Sequence, residues 1–152
     1  MKQLHKLIAT FGGIGYIGKG GGSIAAAVFC VLWYFFPVTG YHGLFTVLIA
    51  IAICTFGTWS SNVVDAFWGK DSSKVVIDEV AGMIITLLFV PVQWKYLLAG
   101  FILFRFFDIV KPLYIRRMEQ LPKGWGVMAD DYLAGIYARA LMQVLIATKI
   151  LE

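Results

Sequence analysis

Five apolar runs divide this chain, and the polar stretches between them alternate in character. The runs cover residues 24–38, 44–60, 80–92, 94–110 and 132–150. A helix crosses a bilayer core with about 20 mainly apolar residues. Runs of near-spanning length in close succession point to helices in lipid, because a spanning backbone must satisfy its own hydrogen bonds. The first run is short, the second is the cleanest, and the third needs residues before Val80 to cross fully. Composition agrees: 60% of the 152 residues are hydrophobic and 14% are charged, against roughly a quarter charged in an average soluble domain. We therefore expect an all-α integral membrane bundle with four to five transmembrane helices, residues 1–152 forming a single membrane-embedded domain. Residues 4–11 read as a short interfacial helix. No cleavable signal peptide is expected, since Ala25, Ala26 and Ala27 open an apolar run instead of following one.

Two connections, 37–43 and 91–94, are short and almost uncharged, whereas 62–79 and 111–131 are longer and highly charged. With five crossings, Lys2, Lys6, Lys19, Lys70, Lys74, Arg105, Lys111, Arg116, Arg117 and Lys123 share one side or its border. Lys95 and Lys149 fall on the other. The excess of cations makes the first side cytoplasmic. Asp65, Asp71, Asp78, Glu79, Asp108, Glu119, Asp130 and Asp131 gather there too, which the charge rule does not require. Their gathering points to one polar site at the cytoplasmic border. The net charge of +4 is small and scattered, which argues against nucleic acid as a partner and fits a protein facing anionic membrane lipid. Cys30 and Cys54 lie in apolar runs without metal-ligand or redox spacing and read as packing residues.

Three segments carry the chemistry. VVIDEVAG (75–82) sets Asp78 and Glu79 at the start of an apolar run. One carboxylate there would suffice to cap a helix and meet its dipole; two, flanked by apolar residues, ask for another reason. GFILFRFFDIVKP (100–112) spaces Arg105, Asp108 and Lys111 by three, so a helix places them on one face, and Pro112 ends it. Ionisable groups in a spanning segment are costly and mark function. GWGVMADDYLAG (124–135) repeats the paired device: Asp130 and Asp131 are expected to open an apolar helix after a glycine-containing turn. Arg139, about two turns deeper, is expected to face the interior and neutralise a carboxylate. A fourth segment, GGIGYIGKGGGS (12–23), brings Lys19, Gly22 and Ser23 before a helix, where backbone N–H groups can cradle an anion. It lacks the Gly-Lys-Ser/Thr of a P-loop.

Asp78, Glu79, Asp108, Asp130 and Asp131 are thus expected to converge with Arg105, Lys111 and Lys19. An all-oxygen donor set suits Mg²⁺. His5 and His42 lie elsewhere, so zinc is not expected. A phosphomonoester carries nearly two negative charges, which a divalent cation with Arg and Lys can neutralise. The cluster holds no histidine, and the chain has no phosphatase-type Cys–Arg loop and no DxD pair. Metal-activated water and an aspartate nucleophile both remain open.

In order and spacing, the three blocks resemble signature blocks of the phosphatidylglycerophosphatase A family, and the resemblance covers nearly the whole chain. It implies a Mg²⁺-dependent membrane phosphatase that converts phosphatidylglycerophosphate to phosphatidylglycerol and inorganic phosphate in phospholipid biosynthesis. It also implies the bacterial cytoplasmic membrane, multi-pass, with the active site facing the cytoplasm. Asp78, Glu79, Asp108, Asp130 and Asp131 match the metal and catalytic positions, and Arg105 and Lys111 match those on phosphate. Where the family usually has Pro-x-Ala-Pro-Gly-Thr, this chain has Gly18-Lys19-Gly20-Gly21-Gly22-Ser23, a less preorganised cradle. Two other readings are a small membrane transporter using intramembrane carboxylates and a CDP-alcohol phosphotransferase-like enzyme. GIYAR (135–139) echoes the latter, yet no Asp directly precedes Gly135 and no acidic pair follows Arg139.

Overall fold

A computed structural model of the chain describes residues 2–35, 43–70 and 72–150. His42, Asp71 and most of the 37–43 turn lie outside the described residues. All regular structure among the described residues is helical: α1 (Lys2–Ala9), a 3-10 turn (Ile14–Ile17), α2 (Gly21–Phe35), α3 (Leu44–Trp68), α4 (Ile77–Leu87), α5 (Trp94–Val110), α6 (Ile115–Met118) and α7 (Gly124–Ala147).

Three boundaries differ from the sequence reading. First, α3 runs on to Trp68, so Asn62 and Asp65 are helical; nothing between 61 and 68 breaks a helix, and Gly69, at φ 83°, stops it. Second, α7 begins at Gly124 instead of near Tyr132. The expected turn before Asp130 is two turns of helix, and the carboxylates sit inside α7. Third, α4 stops after 11 residues, about 16 Å of rise against a bilayer core of about 30 Å. Leu88 leaves the helix at ψ 123° and Phe89 takes φ 58°, and Pro91 bars any resumption there.

α4 is the centre of the molecule. It packs against α2, α3, α5 and α7, and nine of its 11 residues are buried. Its contact with α7 is the most extensive between any two helices, and glycine makes it close. A Cβ on Gly135 would stand 2.5 Å from the Gly82 carbonyl oxygen; one on Gly82 would stand 2.3 Å from the Phe104 ring and 2.9 Å from the Asp131 carbonyl. Thr86 lies in the same seam: its hydroxyl donates to the Gly82 carbonyl of its own helix at 2.9 Å and stands 3.5 Å from the Gly135 carbonyl of α7. Gly82 follows Asp78 by four residues, and Gly135 follows Asp131 by four. Each carboxylate therefore lies one turn from the crossing, on the crossing face.

Arg139 does not meet a carboxylate. It donates to the Leu88 carbonyl at the open end of α4 and lies over the Phe89 ring at 5.0 Å. A helix end leaves carbonyls without partners; here local N–H groups reach the Ile85 and Leu87 carbonyls. The guanidinium satisfies the Leu88 carbonyl and complements the helix dipole. We expect Arg139→Met to destabilise the protein by about 2 kcal/mol, the loss of a charge-assisted bond to a partly buried acceptor. The unfolding midpoint in detergent measures this.

The N-terminal segment braces the start of α4. His5 is buried against α3, its Nδ1 3.2 Å from Ser60 Oγ and its ring edge-on to Trp59. Val76 N–H donates to the Ala9 carbonyl at 2.9 Å. Gly15 abuts the Lys74 backbone so closely that a Cβ would fall 1.9 Å from its carbonyl oxygen. Leu4 and Leu7 stay exposed on α1. Of the described helices, α3 alone is long and apolar enough to cross a membrane by itself, and α2, at 15 residues, is a shorter apolar helix.

Candidate active site

The starts of α2, α4 and α7 and the end of α5 meet around one cleft of about 270 Å³. Every residue that the sequence placed in the site lines it: Asp78, Glu79, Asp108, Asp130, Asp131, Arg105, Lys111, Lys19, Gly22 and Ser23. Its placement follows from the α4–α7 crossing. Asp78 and Glu79 occupy the first turn of α4, and Asp130 and Asp131 the second turn of α7. Because α7 starts six residues before Asp130, neither of its carboxylates caps a helix.

Burial here is unusual for acidic groups. Asp78 is 7% exposed, Asp130 5% and Asp131 2%. Asp78, Glu79 and Asp131 each present an oxygen within 4.8 Å of the other two. Asp108, in the last turn of α5, is an electrostatic neighbour of Asp130 and Asp131. Buried carboxylates this close repel one another and lose hydration, which costs several kcal/mol unless something compensates. Among the described residues compensation is incomplete: Asp78 Oδ1, Glu79 Oε2, Asp130 Oδ1 and Asp131 Oδ2 are buried without a hydrogen-bond partner. Four orphaned anionic oxygens around one cleft are what a hard divalent cation would satisfy.

The cations stand around this core. Arg105 bonds Asp108 one turn along α5, and its Nη1 lies 4.0 Å from Glu79 Oε1. Lys111 sits just past the helix as its C-cap, in left-handed conformation at φ 49°, and is not on the Arg105–Asp108 face as part of α5. Its ammonium lies 2.6 Å from Asp130 Oδ2 and also bonds Glu119. Partial burial works against its charge, but hydrogen bonds and attraction from Asp130 and Glu119 outweigh that and raise its pKa above the ordinary lysine value. Lys19 is exposed at the rim. Five carboxylates against Arg105, Lys111 and Lys19 leave a formal excess of two negative charges among these lining residues. A phosphate dianion entering the cleft alone would be repelled.

The glycine-rich segment closes one wall. A Cβ on Gly22 would sit 1.6 Å from Glu79 Oε1, so the carboxylate rests directly on the start of α2. The Gly22 and Ser23 N–H groups belong to the first turn of that helix, which lacks internal acceptors. The wall thus offers positive dipole beside the acidic cluster.

The geometry meets its counterpart in comparison with known proteins. The family model described as phosphatidylglycerophosphatase A matches residues 7–146, which contain the whole cleft. The chain belongs to the phosphatidylglycerophosphatase A family. A Bacteroides thetaiotaomicron relative, 42% identical over 93% of this chain and 92% of its own, carries the provisional name phosphatidylinositol-3-phosphatase. Two relatives named phosphatidylglycerophosphatase A come from Haemophilus influenzae and Escherichia coli. The first is 37% identical over 91% of this chain and 85% of its own, and the second 34% over 91% and 80%. No solved structure matches.

Some residues in and beside the cleft of this family member had no signal in the sequence. Glu119 reads as one charge in a charged loop, yet just outside the cleft it shares the Lys111 ammonium with Asp130. Ser72 and Ser73 line the cleft from the segment before α4. Close packing of Gly15 on Lys74 and the Val76 N–H bond to the Ala9 carbonyl brace the residues that follow them.

Proposed function

We propose that this chain hydrolyses the phosphomonoester of phosphatidylglycerophosphate, releasing phosphatidylglycerol and inorganic phosphate in phospholipid biosynthesis. The observation that carries the reading is the cleft itself: orphaned, buried carboxylate oxygens beside Arg105, Lys111 and an anion-accepting helix start. Asp78, Glu79 and Asp131 would hold Mg²⁺, with Asp108 and Asp130 completing the oxygen shell directly or through water. When bound, Mg²⁺ supplies Lewis-acid chemistry, offsetting phosphate charge and making a water more acidic. Arg105, kept in place by Asp108 and Glu79, turns its guanidinium to phosphate oxygens. The N–H groups of Gly22 and Ser23 orient the phosphate, and Lys19 adds charge at the rim. Lys111, held protonated by Asp130 and Glu119, favours the negative charge that develops as the ester oxygen leaves.

We further propose that the chain is a multi-pass protein of the bacterial cytoplasmic membrane, one domain with its cleft facing the cytoplasm. In this arrangement α2, α3, α5 and α7 cross, and α4 with the segment 88–93 makes a fifth, broken passage. Irregular backbone at membrane depth is tolerated where protein covers it; Val90 is buried and Arg139 covers the Leu88 carbonyl. Phe35, Leu44, Trp94 and Ile109 are all more than half exposed, surface that lipid would cover.

The names of the relatives differ in headgroup but share a phosphomonoester on a lipid. Purified protein should be given phosphatidylglycerophosphate and phosphatidylinositol 3-phosphate in separate mixed micelles, with Mg²⁺ or with EDTA. We expect kcat/KM for phosphatidylglycerophosphate to be at least about tenfold higher, a transition-state preference of about 1.4 kcal/mol, and chelation to abolish release. Preference for the inositol lipid, or release undiminished by EDTA, would overturn the assignment.

A further inference from the structure

Beyond the cleft, a second feature lies on two of the helices that form it, α2 and α5. An apolar groove of about 390 Å³ opens between α2 and α5, lined by Cys30, Val31 and Tyr34 on one side and Trp94, Leu98 and Phe101 on the other. Val31, Tyr34, Trp94 and Leu98 are exposed along it.

Helical periodicity joins this groove to the cleft. On α5, Trp94, Leu98, Phe101, Arg105 and Asp108 follow one another at spacings of four and three, so they form one stripe. Its last two members line the cleft and its first three line the groove. On α2, Ser23, Ala27, Cys30 and Tyr34 do the same, Ser23 in the cleft and Cys30 and Tyr34 in the groove. Small Ala27 marks the passage between them. From Ser23 to Tyr34 the track rises about 16 Å, close to half of a bilayer core about 30 Å thick.

We infer that this groove holds an acyl chain of the lipid whose phosphate occupies the cleft. The inference rests on reading the cleft as a lipid phosphomonoesterase site. The occupant follows from continuity: the track starts at groups that take an anion, ends in an apolar channel, and has the length of one leaflet's hydrocarbon. A lipid bound this way is fixed at both ends, so its phosphate is presented to Arg105 and the acidic cluster at a set depth. The chain length of the substrate then enters selectivity through the groove.

Two measurements test this. In the first, Cys30→Phe narrows the groove, and kcat/KM is compared for a long-chain and a dibutanoyl phosphatidylglycerophosphate. The long-to-short selectivity ratio should fall about tenfold, as for a filled apolar pocket. An unchanged ratio overturns the proposal. The second uses the natural cysteines, both free and half-buried. Cys54 lies in a separate apolar groove between α3 and α7 and serves as the control. With Mg²⁺ present, hexadecyl phosphate should slow alkylation of Cys30 severalfold relative to Cys54, and butyl phosphate should not. Equal protection of both thiols, or of neither, contradicts a groove coupled to the cleft. Because labelling needs no turnover, protection of Cys30 in a protein that hydrolyses no lipid would sink the phosphatase reading and leave the groove standing.

Discussion

Asp131→Asn is expected to cut phosphate release by at least about 10³-fold, a loss of about 4 kcal/mol of transition-state stabilisation. Asp131 is the most buried of the clustered carboxylates and has an oxygen within 4.8 Å of oxygens of Asp78 and Glu79 from another helix. An amide of the same shape keeps the packing but removes one of the charges proposed to hold the cation. The same change relieves repulsion among buried carboxylates, so the metal-free protein should melt no lower than the wild type. Lost activity with retained stability separates a functional role from a structural one. Near-normal release, measured as kcat on micellar substrate, would remove Asp131 from the site.

Gly135→Ala is the second large effect, and its sign runs against helix propensity. In an exposed helix interior, alanine for glycine stabilises by about 1 kcal/mol. Here the new methyl would press on the Gly82 carbonyl from 2.5 Å, and backbone cannot rotate aside as a side chain can. We expect a loss of about 1–3 kcal/mol in stability from overpacking. Parting α4 from α7 also parts the Asp78–Glu79 pair from the Asp130–Asp131 pair. A misplacement near 1 Å costs about 10²-fold in rate, so kcat should fall by roughly that factor. Unfolding midpoint and kcat, measured on one preparation, check both halves.

Much of the site was legible in the sequence because its carboxylates come in pairs where a helix has use for one. The pairs at 78–79 and 130–131, and the Arg105–Asp108 spacing, pointed to one cleft without knowledge of the packing. What the sequence concealed was how the pairs meet. Gly82 and Gly135 read as small residues in apolar runs; that they are the crossing point depends on two helices finding one another. Asp130 and Asp131 looked like the start of a helix because apolar residues begin after them, yet GWGVMA is itself helical and packs through Gly124 and Gly126 on α3 and the α6 loop. The third apolar run looked like a span with a short deficit; its helix is 11 residues because Phe89 and Pro91 redirect the chain. Charge alone points Arg139 to a carboxylate, whereas its partner is the carbonyl at a helix end. The helical class was readable from the apolar runs. The number of crossings was not, since among the described helices only α3 meets the length and hydropathy of a spanning helix by itself.

The proposed chemistry requires carboxylates from α4 and α7 to share one divalent cation. Mn²⁺, a hard oxygen-seeking cation with a paramagnetic signal, reports this directly when titrated into detergent-solubilised protein and followed by electron paramagnetic resonance. Wild type should bind Mn²⁺ saturably and in competition with Mg²⁺. Asp78→Asn on one helix and Asp131→Asn on the other should each weaken binding at least about tenfold, while Asp65→Asn, outside the cleft, should not. Saturable binding that survives both cleft substitutions, or that neither the wild type nor any variant shows, would contradict a shared metal site.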